Sequence, residues 1–121
     1  MMGNEPESKV TSPALPAIAA RHSIPRSHTL RSIPESAQQL IHKLSEAHVL
    51  IGRGTEAALK LDSELVSRRH AVLTRKHDEY LLSDMNSSHG VYVNGLRVHS
   101  VILRDGDVIQ LGDVVLTYSE A

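Results

Sequence analysis

Cationic and hydroxyl side chains recur beside apolar runs between residues 53 and 88. They are Arg53, Ser67, Arg68 and Ser88. A guanidinium is always charged and presents a planar fork of donors that suits phosphate oxygens, and serine hydroxyls add further donors. Each charge-assisted hydrogen bond contributes about 1.5–3 kcal/mol net, so three or four approach the ~8 kcal/mol of a micromolar complex before ordering costs. These residue types therefore predict a site for an anion, with a phosphorylated side chain as the fitting ligand.

Short strands must position these groups. Apolar or alternating runs at 48–51, 70–75 and 114–118 are typical of strands in a buried sheet. Asn94-Gly95 predicts a tight hairpin, because both residues accept positive φ at low cost. Turn residues recur throughout and helical periodicity is nearly absent, which predicts an all-β sandwich.

The distribution of proline and glycine divides the chain. All five prolines lie at or before Pro34, and six of the seven glycines follow Ile51. Residues 1–27 show no sustained period, so we predict a disordered tail there and one domain over 28–121. Taken alone, the segment 34–47 is equally consistent with a short amphipathic helix and with extended chain.

The composition narrows the function classes. The formal net charge is -1, and three Tyr are the only aromatic residues, both of which argue against a nucleic-acid binder. We therefore expect a core built from Leu, Val, Ile and Ala. There is no Cys, which excludes disulfides and thiolate chemistry. No apolar run approaches the ~20 residues of a membrane helix, and no secretory signal is evident. We expect no membrane contact and a cytoplasmic protein, or a nuclear one in a eukaryote.

Catalytic and metal-binding patterns are weak. The segment 105–107 favours a turn over a calcium loop, since further ligands and a closing Glu are missing. The segment 52–54 lacks the Gly-Lys-Ser/Thr of a nucleotide P-loop, and the eight His form no zinc motif. Ser67, His70 and Asp84 make a triad on paper, but their spacing gives it no support. We therefore expect a binding protein with no enzyme activity, no metal and no cofactor; the alternative for the arginines is an ordinary solvated surface.

From Ile51 to Leu116 the sequence resembles a forkhead-associated (FHA) domain, a phosphothreonine-recognition module built as an eleven-strand β-sandwich. The ordered set of motifs, rather than any one of them, carries the resemblance. They are Gly52-Arg53, Ser67-Arg68-Arg69-His70, Ser87-Ser88-His89-Gly90, Val93-Asn94-Gly95, Asp105-Gly106-Asp107 and Leu111-Gly112. The family places two strands ahead of Gly-Arg, which favours strands over 29–33 and 39–44.

The resemblance also implies a phosphopeptide-binding set. Arg53, Ser67 and Ser88 match phosphate-contacting positions, with Ser88 standing where Thr is usual. Arg68 matches a position that touches the phosphate or the peptide backbone. His89 replaces the Asn that usually holds the peptide main chain. Because a neutral imidazole has one donor and one acceptor, this change bears on peptide affinity more than on phosphate binding.

A second implied set supports the site structurally. His70 matches a buried histidine that braces the binding loops, and Gly52, Gly90 and Asn94 complete the set. Leu65 lies near the position where some members carry a charged specificity residue, which indicates a less charged preference for the ligand.

The predicted function is that of an adaptor. It would bind phosphothreonine on a partner protein, or on its own tail around Thr11, in a pathway that uses a Ser/Thr kinase. The alternative is a phospho-independent structural or assembly module, which the His89 departure keeps open.

Overall fold

The structure, a computed structural model, describes residues 26–121. The tail predicted over 1–27 therefore lies outside the described residues except for its last two. The described part is all-β, as predicted, with eleven strands. In chain order these are β1 His28–Ser32, β2 Ile41–Leu44, β3 His48–Gly52, β4 Leu59–Lys60, β5 Ala71–Lys76, β6 Glu79–Asp84, β7 Val91–Val93, β8 Leu96–Val98, β9 Ser100–Ile102, β10 Val108–Leu111 and β11 Val114–Glu120.

The strands form two sheets. The six-stranded sheet has the order β2-β1-β11-β10-β7-β8, and the five-stranded sheet has the order β4-β3-β5-β6-β9. Strand β4 pairs in parallel with β3, whereas β3, β5, β6 and β9 are joined by antiparallel pairs. The ambiguous segment 34–47 contains no helix: it begins with a turn and then forms β2, which pairs with β1. The strands expected over 29–33 and 39–44 are confirmed, shifted by one or two residues.

The core between the sheets is largely aliphatic, and buried residues alternate along the strands. In β5, Ala71 and Leu73 are buried while Val72 between them is partly exposed. The expectation of a core without aromatic rings was wrong, because Tyr80 and Tyr118 are fully buried. Their hydroxyls reach the rim of the core, where they donate to the Glu46 carbonyl at 2.8 Å and to the Glu120 carboxylate at 2.9 Å. A buried phenol is tolerated where its hydroxyl finds such a partner.

Tight turns connect the strands where the sequence placed them. Asn94 and Gly95, between β7 and β8, have φ of 52° and 83°. Positive φ at both central residues gives the twist that joins two antiparallel strands in a short hairpin. The predicted hairpin is therefore confirmed.

Candidate functional site

The register of the five-stranded sheet brings three chain segments to one end of the molecule. Ile51 near the end of β3 pairs with Ala71 at the start of β5, and Ala71 pairs with Asp84 at the end of β6. The loops that follow β3, precede β5 and follow β6 must therefore lie side by side. We call these loops, residues 52–54, 66–70 and 86–90, the binding rim.

The first two loops of the binding rim are joined through their backbones. The Arg53 N–H donates to the Ser67 carbonyl, and the Gly54 N–H to the Arg68 carbonyl, both at 3.0 Å. A Cβ on Gly52 would lie 2.1 Å from the Arg68 carbonyl oxygen, so a larger residue there would push the loops apart. The Arg53 side chain is fixed as well, because its Nε donates to the Val66 carbonyl at 3.0 Å. Its terminal guanidinium nitrogens bond to no described residue.

The two predicted serines meet across the second and third loops. The backbone N–H of Ser88 donates to Ser67 Oγ at 3.0 Å. Ser67 is partly buried and Ser88 is exposed. Hydrogen bonds thus link the Arg53 backbone to the Ser67 backbone and the Ser88 backbone to the Ser67 hydroxyl, so the three residues lie on adjoining loops of the binding rim.

The adjacent arginines of the second loop differ in their partners. The Arg69 guanidinium lies 3.5 Å from the Glu56 carboxylate. The pKa of Glu56 is lowered, first by a hydrogen bond from its own backbone N–H and then by Arg69. Arg68 is exposed and has no carboxylate of the described residues within salt-bridge distance. Of the pair, Arg68 is therefore the cation available to a ligand.

His70 is completely buried and uses both ring nitrogens. Nδ1 accepts from the Ser67 backbone N–H at 3.0 Å, which makes Nε2 the protonated nitrogen, and Nε2 donates to the Gly90 carbonyl at 2.7 Å. One imidazole thus ties the second loop to the third. The triad drawn on paper does not form, because neither ring nitrogen contacts a Ser67 hydroxyl or Asp84.

Two residues that organise the third loop were not among the predicted site residues. Ser87 is buried, and its Oγ accepts from the Gly90 N–H at 2.9 Å. The Ser87 N–H in turn donates to Asp84 Oδ1 at 3.1 Å. This pair of side-chain-to-backbone bonds folds residues 87–90 into a compact turn. The sequence signal was a Ser three residues before a Gly, which is common in turns of any function.

Of the other predicted residues, His89 and Gly90 belong to the binding rim and Asn94 does not. His89 is exposed on the third loop, and its side chain bonds to no described residue. Gly90 has φ of 83°, which favours glycine. Asn94 lies beyond the far end of β7, where its side chain donates to Asp107 Oδ1 and accepts from the Val108 N–H, both at 2.9 Å. Asn94 therefore fixes the β7–β8 turn and is not in contact with the binding rim.

Other kinds of site find little support in the part of the chain that is described. Within residues 26–121, no three His, Asp or Glu side chains are grouped so that they could hold a metal ion. In the same residues, no helix has the length and apolarity needed to cross a membrane.

Comparison with known proteins finds a family whose model matches this chain. Residues 49–112, just over half of the chain, match the family model described as the FHA domain. The FHA domain-containing protein FhaA of Mycobacterium tuberculosis is 42% identical over 71 residues, covering 59% of this chain and 14% of FhaA. The oxoglutarate dehydrogenase inhibitor of Corynebacterium jeikeium is 32% identical over 99 residues, covering 74% of this chain and 69% of that protein.

A solved structure shows the same architecture. It comes from a study of phosphothreonine-dependent FHA domain interactions, and it superimposes with a TM-score of 0.71 at 35% identity. The match covers 77% of this chain and 95% of the solved chain. The eleven-strand, two-sheet sandwich is thus shared with a structure of the matched family.

Proposed function

Because this chain belongs to the FHA domain family, we propose that it is a phosphopeptide-binding adaptor that recognises phosphothreonine through the binding rim. In this proposal Arg53, Ser67 and Ser88 hold the phosphate. Arg68 contacts the phosphate or the peptide backbone, and His89 contacts the peptide main chain.

A second set of residues supports the site without contacting the ligand. Gly52, His70 and Gly90 support the loops, and Asn94 supports the turn after β7.

The observation that carries the proposal is the continuous set of hydrogen bonds from Arg53 through Ser67 to Ser88. These bonds fix the three residues on adjoining loops at the ends of strands, which supports a site where the Arg53 guanidinium and the two serine hydroxyls meet one ligand. The Arg53 guanidinium is anchored through Nε, so little side-chain entropy is lost when its terminal nitrogens take up an anion. Preorganisation of this kind favours a doubly charged phosphate over a neutral hydroxyl.

The ligand that fits is a threonine phosphorylated by a Ser/Thr kinase, on a partner protein or on residues around Thr11. The match covers 14% of the length of FhaA, so the partners of full-length FhaA are not proposed for this chain. Because a kinase needs ATP, this proposal implies a cytoplasmic domain, or a nuclear one in a eukaryote. We infer a role in signalling by protein–protein interaction rather than catalysis.

Peptide titration tests the proposal. Matched peptides carrying Thr, phosphoserine or phosphothreonine would be titrated into the wild type, Arg53→Ala and Arg104→Ala by calorimetry. We expect the wild type to bind the phosphothreonine peptide best, and Arg53→Ala to bind it about 10- to 150-fold more weakly, from the loss of one charge-assisted contact of about 1.5–3 kcal/mol. Arg104 pairs with Glu79 at the opposite end of the sheet, so Arg104→Ala should bind like the wild type.

The second candidate is a phospho-independent assembly module, and His89 in place of the family's usual Asn is the observation that favours it. Equal binding of all three peptides, or unchanged binding by Arg53→Ala, would support that candidate and reject ours.

A further inference from the structure

Arg97 lies against the binding rim although it comes from a different element. It sits on β8, opposite Tyr92 of β7, and is exposed. A Cβ on Gly90 would lie 2.7 Å from Arg97 Nε and 3.0 Å from its Cζ. The guanidinium therefore occupies the space left free by the missing side chain of Gly90, next to His89.

The charge of Arg97 is not neutralised within the part of the chain described. Eight arginines fall in residues 26–121. Four of them lie within 4.0 Å of a carboxylate: Arg26, Arg69, Arg75 and Arg104. The other four have no such partner among the described residues: Arg31, Arg53, Arg68 and Arg97. Three of these four lie on or against the binding rim, so the arginines without a carboxylate partner are concentrated there.

The three cations belong to different sheets. Arg53 and Arg68 belong to the loops on the five-stranded sheet, whereas Arg97 approaches from β8 at the edge of the six-stranded sheet. Ser88, at the proposed phosphate position, is separated from Gly90 by His89 alone. A peptide whose phosphate is bound at Arg53 and Ser88, and which runs across His89 and Gly90, would reach the Arg97 guanidinium with a neighbouring side chain.

We propose that Arg97 is a specificity residue that selects an acidic side chain close to the phosphothreonine. This inference rests on the proposed function and adds to it the charge of the peptide. It differs from the preference indicated by Leu65. The Leu65 backbone carbonyl lies 2.7 Å from the position of a Cβ on Gly112, so Leu65 stands beside the β10–β11 turn rather than beside β8.

A peptide series with a moving charge tests Arg97. Phosphothreonine peptides with an uncharged background would carry a single Glu or Ala at each of the four positions on either side of the phosphothreonine. We expect at least one position where Glu improves the affinity of the wild type up to about 5-fold over Ala, the range of an exposed ion pair. Arg97→Gln should remove that gain, Arg97→Lys should keep part of it, and Arg97→Glu should prefer Lys at the same position. Arg104→Gln, the matched control, should behave like the wild type.

The results separate the two proposals. No gain from Glu at any position, or a gain that persists in Arg97→Gln, overturns the role of Arg97 while phosphothreonine binding still depends on Arg53. If the wild type binds none of the phosphopeptides, the proposed function fails and the role of Arg97 fails with it. Each variant's circular dichroism and unfolding midpoint would be compared with the wild type, and Arg97→Lys tests the inference should Arg97→Gln not fold.

Discussion

At the scale of single residues, the buried side chains that fix the binding-rim loops differ from the exposed side chains that we propose to contact the ligand. His70 and Ser87 are buried, yet they fix the backbones of Ser67 and Gly90. Each forms hydrogen bonds with backbone groups that no strand pairs. A buried backbone group left without a hydrogen bond would cost free energy. The exposed residues Arg68, Ser88 and His89 depend on this support for their positions.

Ser87→Ala tests that support. The substitution leaves the buried Gly90 N–H without its acceptor, so we expect a loss of about 1–3 kcal/mol of unfolding free energy. Phosphopeptide affinity should fall as well, since residues 88–90 lose their turn. Urea unfolding and peptide titration measure the two effects. Ser88→Ala is the control, because its exposed hydroxyl has no described partner: it should weaken binding with little change in stability. Equal stability of Ser87→Ala and the wild type would contradict the role given to Ser87.

At the scale of elements, the end of the sandwich opposite the binding rim is closed by polar contacts. His28 of β1 is buried, and its Nε2 lies 3.1 Å from Asp78 Oδ1 in the β5–β6 turn. Its Nδ1 lies 2.6 Å from the Tyr118 hydroxyl of β11. The contact with Asp78 joins the two sheets, whereas His28 and Tyr118 lie on paired strands of one sheet. His28 therefore holds the β5–β6 turn to the first and last strands.

The pH dependence of stability should reveal these contacts. The hydrogen bond from His28, aided by the Arg26 backbone N–H, holds the pKa of the Asp78 carboxyl below its ordinary value of 3.8. A lowered folded-state pKa contributes stability that is complete above the unfolded value and is lost as the pH falls through the folded value.

We therefore expect Asp78→Asn to lose about 0.5–1 kcal/mol at neutral pH, a modest value because the carboxylate is partly exposed. The difference from the wild type should shrink as the pH falls below 3.8. Urea unfolding over a pH series measures it. Asp62→Asn, whose carboxylate is exposed and 4.0 Å from Lys60, should show no such trend. A difference that stays constant down to the lowest pH would contradict the assignment.

At the scale of the whole molecule, the family match and the folded unit do not coincide. The match covers residues 49–112, whereas β1, β2 and β11 lie outside it. These strands contribute the buried residues Leu30, Leu44, Val114, Leu116 and Tyr118. Strand β11 also lies between β1 and β10 in the six-stranded sheet. We therefore propose that the folding unit is residues 28–121, as the sequence predicted.

Two fragments test this boundary. A fragment of residues 26–121 should give the dispersed amide spectrum of a folded β-protein. A fragment of residues 49–112 should remain unfolded, because burying a Leu or Val side chain contributes about 1.5–3 kcal/mol and the stability of a whole domain is only about 5–15 kcal/mol. A cooperative unfolding transition in the shorter fragment would contradict the proposal.

The strand pattern, the turns and the family could all be predicted from the order of residues along the chain. Asn94-Gly95 shows why: positive φ is a local demand that two adjacent residues express directly. The proposed binding residues Arg53, Ser67 and Ser88 could be named because they lie in motifs with fixed order. Within the ambiguous segment, residues 39–44 were predicted to form a strand from that order rather than from their own periodicity.

Tertiary structure alone decided which distant groups touch. The contact of Arg97 with Gly90, the bond of the Ser88 N–H to Ser67 Oγ, and the contacts of His28 with Asp78 and Tyr118 had no sequence signal of their own. Each arises because strand register and the packing of the two sheets bring together residues from different loops or strands. An exposed Arg and a loop Ser look alike in sequence wherever they fall, and only the fold gives them neighbours.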